Sequence, residues 1–266
     1  MTRADLIGLT WAGATGGLAL AFGPSALTIG VPATAAALLL ADGVVRPASS
    51  VIVPTISAAP PNGGRRVALT FDDGPDPVWT PRIADLLDAA GARATFFCVG
   101  RHVEAHPDIA RRLVGGGHEL GNHSFAHPRT LNFRFAAAME REVLRGETAL
   151  RAVTGELGRP LYRPPVGLRN PSLARVAARL GLRVVTWSLH SRDTFATDAA
   201  ALAARVLARV RPGDIVLLHD GSDRPGADRR VTLTALPAIL EGLRARDLEP
   251  VTVSALLAPL SAPSGR

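Results

Sequence analysis

A chain of 266 residues has room for one large or two small domains, and a hydrophobic content of 47% supplies ample material for a core. The formal charge of +7 rests on arginine alone, because no lysine occurs, and the 30 basic residues are scattered among 23 acids. Without a clustered basic stripe this excludes a nucleic-acid footprint. The single cysteine, Cys98, excludes an intramolecular disulfide and any Cys-based zinc site.

The first 64 residues differ from the remainder, with only Arg3, Asp5, Asp42 and Arg46 charged. Two apolar runs, Leu6–Phe22 and Ala26–Ala41, flank Gly23-Pro24-Ser25. Each is near the lower limit of about 17 residues for crossing a bilayer. A hairpin in the membrane, a signal anchor and a cleaved signal peptide all fit. The apolar character runs on beyond the about 7–15 residues of a signal-peptide core, which favours membrane retention over cleavage. Residues 1–46 are therefore expected to be an anchor or signal region. Residues 47–64, rich in Pro, Ser and Ala, read as a linker, and 258–266 as a tail.

From Arg65 onward apolar strands alternate with longer helical patterns. Strands are expected at Val67–Phe71, Thr95–Val99, Glu119–Asn122, Leu161–Pro164, Arg183–Leu189, Asp214–His219 and Glu249–Val253. Helices are expected after Thr80-Pro81, near Pro107–Val114, over Phe133–Val153, after Asn170-Pro171, and over Ala199–Val210 and Leu233–Ala245. Gly91 and Gly181 stand where helices should stop. Seven strands alternating with six helices predict a parallel α/β architecture, either a barrel or an open doubly wound sheet. No glycine-rich phosphate loop follows the first strand, which disfavours nucleotide binding.

Both architectures place active sites at the C-terminal ends of the strands. Asp72 and Asp73 follow strand one, His123 and His127 strand three, Arg163 strand four, Asp193 strand five, and His219 with Asp220 strand six. Taken alone, Asp72-Asp73-Gly74-Pro75 is an ordinary turn; the other residues at the same rim supply it with partners. His123 and His127, four apart, plus one of the two aspartates make three ligands with an open position, as a catalytic zinc-type site requires. The second aspartate is then free to act as general base. His219 fits a general acid for a poor amine leaving group, with Asp193 orienting and charging its ring. Arg163 could pair with the base carboxylate. Cys98, in Thr-Phe-Phe-Cys-Val-Gly, reads as a buried structural thiol, and His102, His106 and His118 as structural or surface residues.

Thr70-Phe71-Asp72-Asp73-Gly74-Pro75, His123-Ser124-x-x-His127, Arg163-Pro164-Pro165-x-Gly167 and Leu217-x-His219 occur in the order seen in polysaccharide deacetylases. Over about residues 65–257 the chain resembles that family, carbohydrate esterase family 4, with its nodulation-type chitooligosaccharide deacetylases. Ala94–Phe97, Gly117–Asn122 and Arg169-Asn170-Pro171 agree with it too. The resemblance implies a distorted seven-stranded (β/α) barrel carrying a divalent metal, usually Zn2+. It implies Asp73, His123 and His127 as metal ligands, Asp72 as base and Arg163 as its positioning partner. It further implies His219 as acid supported by Asp193, and the Val166 backbone N–H as an oxyanion donor.

The implied reaction removes an N-acetyl, or sometimes O-acetyl, group from a carbohydrate. Val166 and Thr194 replace residues that are commonly aromatic in the family, and His190 stands where an acid is frequent, which bears on specificity more than on catalysis. Trp79 is a candidate sugar platform. The apolar N-terminus predicts a membrane-associated enzyme with an extracytoplasmic catalytic domain. Two further readings are a deacylase of a lipid-linked sugar and an inactive, membrane-anchored glycan-binding module.

Overall fold

The computed structural model describes residues 3–60, 64–155, 160–224 and 226–259. Residues 61–63 of the expected linker and 260–266 of the expected tail lie outside the described residues. In chain order the elements are α1 (Arg3–Phe22), α2 (Val31–Val45), β1 (Thr55–Ile56), β2 (Arg66–Asp72), α3 (Trp79–Ala89), β3 (Thr95–Cys98), α4 (Gly100–Ala105) and α5 (Pro107–Gly115). They continue as β4 (Glu119–Asn122), α6 (Ala136–Thr154), β5 (Leu161–Tyr162), α7 (Pro171–Leu180), β6 (Arg183–Val185) and β7 (Leu189–His190). The last are α8 (Ala199–Arg209), β8 (Ile215–His219), α9 (Arg230–Ala245), β9 (Glu249–Val251) and α10 (Val253–Leu257).

All pairings between the named strands are parallel, in the order β1-β6-β5-β4-β3-β2-β8-β7, with β9 added to β2. The sheet curls into a distorted barrel. Period-two alternation along β2 sorts its side chains. Val67, Leu69 and Phe71 face the outer helices, in one core cluster with Ile83, Leu87, Val206, Leu236 and Leu243. Ala68 faces inward with Phe97, Leu161, Val185 and Ile215. Thr70 and Asp72, on the same face as Ala68, follow it inward, which explains how a buried strand can end in a carboxylate.

The helix stops are where local chemistry puts them. Asn170 caps α7 by accepting the Leu173 N–H at 2.8 Å, with Pro171 in the first turn, and Gly181 closes the helix at φ 64°. Three features differ from the sequence expectation. The strand expected over Arg183–Leu189 breaks into β6 and β7, because the chain turns at Thr186–Ser188 to place Trp187 against Gly167. The helices α4 and α10 were not anticipated; both are too short to show a period. The stretch 47–64 contains β1 and the buried Ile52 and Val53, so the sheet begins upstream of Arg65.

Both apolar N-terminal runs are helical. Leu27–Val45 forms a span of 19 residues with mean hydropathy 1.7, long and apolar enough to cross a membrane, and the rest of the chain covers almost none of it. Its C-terminal end meets the barrel, where Gly43 is buried against Ile52 and Val51.

Candidate active site

Parallel pairing of β2 with β8 sets Asp72 directly beside His219, and pairing with β3 sets Asp72 beside Phe97. The base and acid candidates therefore enter the same cavity from adjacent strand ends. Arg163, fully buried, donates from Nη1 to Asp72 Oδ1 at 2.6 Å and to Thr70 Oγ1 at 2.8 Å. Its Nη2 donates to the Thr186 carbonyl at 2.8 Å, and the guanidinium lies 4.0 Å from the Phe97 ring centroid. With Oδ1 so engaged, Asp72 leaves Oδ2 toward the cavity.

Asp73 takes a left-handed φ of 76°, unusual for a residue with a Cβ, and its carboxylate faces both histidines, while Asp72 Oδ2 lies 3.7 Å from His123 Nε2. Asp73 Oδ1 lies 3.3 Å from His127 Nε2 and 3.5 Å from His123 Nε2. One ligand atom from each of the three buried residues falls within 4.8 Å of the others. His123 Nδ1–H donates to the Arg163 carbonyl at 2.7 Å, which fixes the tautomer and aims the Nε2 lone pair at Asp73. Asp73 Oδ1 is buried and has no hydrogen-bond partner among the described residues. An orphaned carboxylate oxygen facing two imidazole nitrogens fits a divalent cation.

The loop that carries the histidines is shaped by β4 and α6. Asn122 accepts the Ser124 N–H at 2.8 Å and donates to the Val143 carbonyl at 2.8 Å. Ser124 Oγ accepts the His127 N–H at 3.1 Å. A Cβ on Gly146 would come within 2.5 Å of Asn122 Oδ1, so glycine is what lets α6 approach this loop.

Electrostatics separates the groups. Burial favours a neutral Asp73, but His123 and His127 outweigh it and hold the carboxyl below the usual carboxylate range. Burial, aided by the neighbouring His123, lowers the His127 pKa to about 4, keeping that ring neutral and free to ligate. Burial opposes charging His123 as well, yet Asp72 and Asp73 prevail and raise its pKa. A cation entering the site would displace that proton.

His219 is held differently. Its Nδ1–H donates to Asp193 Oδ1 at 2.9 Å and its backbone N–H to Oδ2 at 2.7 Å, leaving Nε2 toward the cavity. Thr232 and Ser191 also donate to Asp193, at 2.9 and 3.0 Å. Burial works against the imidazolium, but the charge and hydrogen bond of Asp193 outweigh it and push the His219 pKa up to about 9.

The cavity holding these groups measures about 600 Å³ and is also lined by Val166, Trp187, His190, Thr194 and Phe195. Val166 adopts φ 58° and its N–H meets no acceptor among the described residues. Gly167, at φ 70°, leaves the space that Trp187 fills, since a Cβ there would lie 2.4 Å from the indole. His190 accepts the Arg192 N–H and packs edge-on against Trp187. Trp79 is not in this lining; its indole N–H donates to the Ala227 carbonyl at 3.1 Å, behind the loop that closes one side.

Three residues at the site were given no catalytic or ligand role by the sequence, although Asp220 stands at the end of a strand. His102, on the short α4, donates from Nδ1 to the Asp73 carbonyl at 2.9 Å and so fixes the strained turn. Asp220 accepts from Thr80 at 2.5 Å, and burial, with Asp73 nearby, raises its pKa to about 7. Its carboxyl fills the space a Cβ at Gly74 would need. Asp223, bound to Arg129 through both oxygens, lies 4.0 Å from His127 Nδ1.

The sequence pattern of the polysaccharide deacetylase family matches residues 59–185. A peptidoglycan-N-acetylglucosamine deacetylase of Bacillus cereus is 38% identical over 200 residues, covering 74% of this chain and 90% of the relative. The chain belongs to the polysaccharide deacetylases of carbohydrate esterase family 4. A chitooligosaccharide deacetylase of Sinorhizobium fredii is 37% identical over 69% of this chain and 88% of its own length. Among solved structures, a peptidoglycan N-acetylglucosamine deacetylase bound to an N-oxidanyl-benzamide superposes with a TM-score of 0.71 at 29% identity, covering 76% of this chain and 92% of that one. A family 4 carbohydrate esterase of Streptomyces lividans in complex with acetate gives 0.64 at 32%, covering 75% and 98%. As in this family, the protein is a hydrolase of the amide bond of N-acetyl groups on carbohydrate, and Asp73, His123 and His127 form a cluster able to hold a metal ion.

Proposed function

We propose that the protein is a zinc-dependent deacetylase of N-acetylglucosamine-containing glycans of the cell envelope, held at the membrane by α2 with its catalytic domain extracytoplasmic. The observation that carries this reading is the division within the Asp72-Asp73 pair. Asp73 points at His123 and His127, while Asp72 is held by Arg163 beside His219. Asp73, His123 and His127 would hold the ion, and two nitrogens, one carboxylate and an open position suit Zn2+. When bound it would supply Lewis acidity, lowering the pKa of the attacking water and polarising the acetyl carbonyl.

The chain's own groups move the protons. Asp72, through Oδ2, accepts a proton from the water as its oxygen bonds to the acetyl carbon, and Arg163 holds the carboxylate in line. The carbonyl electrons move onto oxygen, where the Val166 N–H can donate to them. His219 Nε2 then gives its proton to the amine nitrogen as the C–N bond breaks, releasing acetate and a free amino sugar. Asp193 keeps that imidazole charged until the transfer.

The relatives act on peptidoglycan N-acetylglucosamine and on chitooligosaccharides, which makes a β-linked N-acetylglucosamine chain the favoured substrate. The apolar span Leu27–Val45, whose C-terminal end meets the barrel, favours a lipid-linked sugar as the second reading. A pseudoenzyme of this family from Bacillus anthracis is also similar to this chain, with a TM-score of 0.69 at 25% identity. The full set of Asp72, Asp73, His123, His127 and His219 favours an active enzyme over an inactive glycan-binding module. Acetate release from chitooligosaccharide, peptidoglycan and lipid-linked acetylated sugar by the metal-loaded chain tests this. Release from one of the first two that stops on chelation is expected; binding without release from any would overturn the enzyme reading.

Phe195, 83% exposed at the cavity rim beside Thr194, offers a ring for a sugar face. Phe195→Ala is expected to raise KM for longer oligosaccharides about 3–10-fold with kcat nearly unchanged, the signature of lost uniform binding. Steady-state kinetics on a length series measures it, and a fall in kcat alone would assign Phe195 a different role.

A further inference from the structure

Arg169 ties the end of α2 to the barrel, beside the packing of Gly43 on Ile52 and a bond from Thr186 to the Pro47 carbonyl. Arg169, fully buried, donates from Nε to the Gly43 carbonyl at 3.2 Å, from Nη1 to Pro47 at 2.8 Å and from Nη2 to Arg46. Its backbone N–H donates to the Val44 carbonyl at 3.2 Å. Carbonyls in the last turn of a helix lack intrahelical partners, and a cation there complements the negative end of the helix dipole. The next residue, Asn170, donates from Nδ2 to the Asn132 carbonyl at 2.6 Å, in the turn Leu131–Phe133. Two successive residues thus hold the end of the apolar span and the loop 131–135 side by side.

That loop is rooted and bare at once. Leu131 is buried with Val53, Leu173 and Val176. Phe133 and Phe135 are 82% and 90% exposed. Arg134, between them, is exposed and makes no side-chain hydrogen bond or ion pair among the described residues. Leaving a phenylalanine ring in water forgoes the favourable burial of its apolar surface. Two such rings flanking a free guanidinium, beside the end of a helix able to cross a bilayer, match the aromatic and basic residues that sit at a membrane interface.

We propose that Phe133, Arg134 and Phe135 form a membrane-docking patch, with the rings in the headgroup–acyl boundary and Arg134 on lipid phosphates. The proposal rests on the reading of α2 as a membrane anchor. Together with the Arg169 clamp the patch gives the catalytic domain a second point of attachment and hence a fixed tilt. Val166 lies three residues before Arg169 in the chain, so the mouth of the cavity takes its orientation from the same clamp.

The test uses the full chain in vesicles of phosphatidylcholine and phosphatidylglycerol, with Phe135→Cys carrying an environment-sensitive nitrobenzoxadiazole label. Cys98 is buried and leaves the introduced thiol as the reactive one. Glu241→Cys, exposed on α9 on the opposite half of the barrel, is the control. Label at 135 is expected to show blue-shifted emission and quenching by brominated lipid, and label at 241 neither. Water-like, unquenched emission at 135 from a chain that resists alkaline carbonate extraction would overturn the patch and leave the anchor standing. Release by carbonate would overturn the anchor and the patch with it. A blue shift produced by chitooligosaccharide and not by vesicles would make the rings a sugar platform and also overturn the proposal.

Discussion

Asp72→Asn is expected to lower deacetylation by about 10²–10⁴-fold, the usual contribution of a positioned general base. Asparagine preserves the shape and one oxygen acceptor for Arg163 but cannot take the water's proton. The substitution also leaves a guanidinium that is fully buried facing a neutral amide. Removing one member of a buried ion pair costs about 3–5 kcal/mol when the other is left without a partner. The retained acceptor, with Thr70 and Thr186, should keep the loss toward or below the lower end of that range. The rate on chitooligosaccharide and the urea midpoint, taken on the same preparation, separate the chemical effect from the structural one. Near-normal turnover would remove Asp72 from the base role.

His219 carries the second large effect. As an acid it must be protonated, and its pKa is pushed up to about 9, so kcat/KM should fall on the alkaline side as the ring loses its proton. A cation in the adjacent site would offset the contributions of Asp73 and Asp72. Asp193, in direct contact, remains the group that holds the proton. Asp193→Asn should therefore shift the alkaline limb toward lower pH, because the folded-state pKa falls back toward the ordinary histidine value of about 6.5. His219→Ala should abolish that limb and reduce turnover by about 10²–10⁴-fold. An unchanged alkaline limb in Asp193→Asn would show that another group titrates there.

The strand ends were legible in the sequence because each apolar run stops at a polar residue, and a parallel α/β fold gathers such ends at one rim. That logic gathers seven residues at one rim, and in the structure Asp72, Asp73, His123, His127 and His219 line one cavity, with Arg163 and Asp193 buried behind Asp72 and His219. It could not separate the two aspartates from spacing alone. The separation depends on the left-handed turn at Asp73 and on Arg163 arriving from β5, neither of which leaves a periodic trace. His102 was obscure for a related reason: α4 spans six residues, too few to display a helical face. Thr232 reaches Asp193 from α9, across 39 positions of chain. The contribution of residues 47–64 was hidden by composition, since β1 is two residues long and sits among prolines and serines.

The most direct measurement is zinc content after dialysis, by mass spectrometry, for Asp72→Asn and Asp73→Asn purified alongside the unaltered chain. If Asp73 is the ligand and Asp72 the base, Asp72→Asn retains zinc to the same stoichiometry as the unaltered chain, while Asp73→Asn loses most of it. Loss of zinc from Asp72→Asn with retention in Asp73→Asn would reverse the assignment and contradict the account.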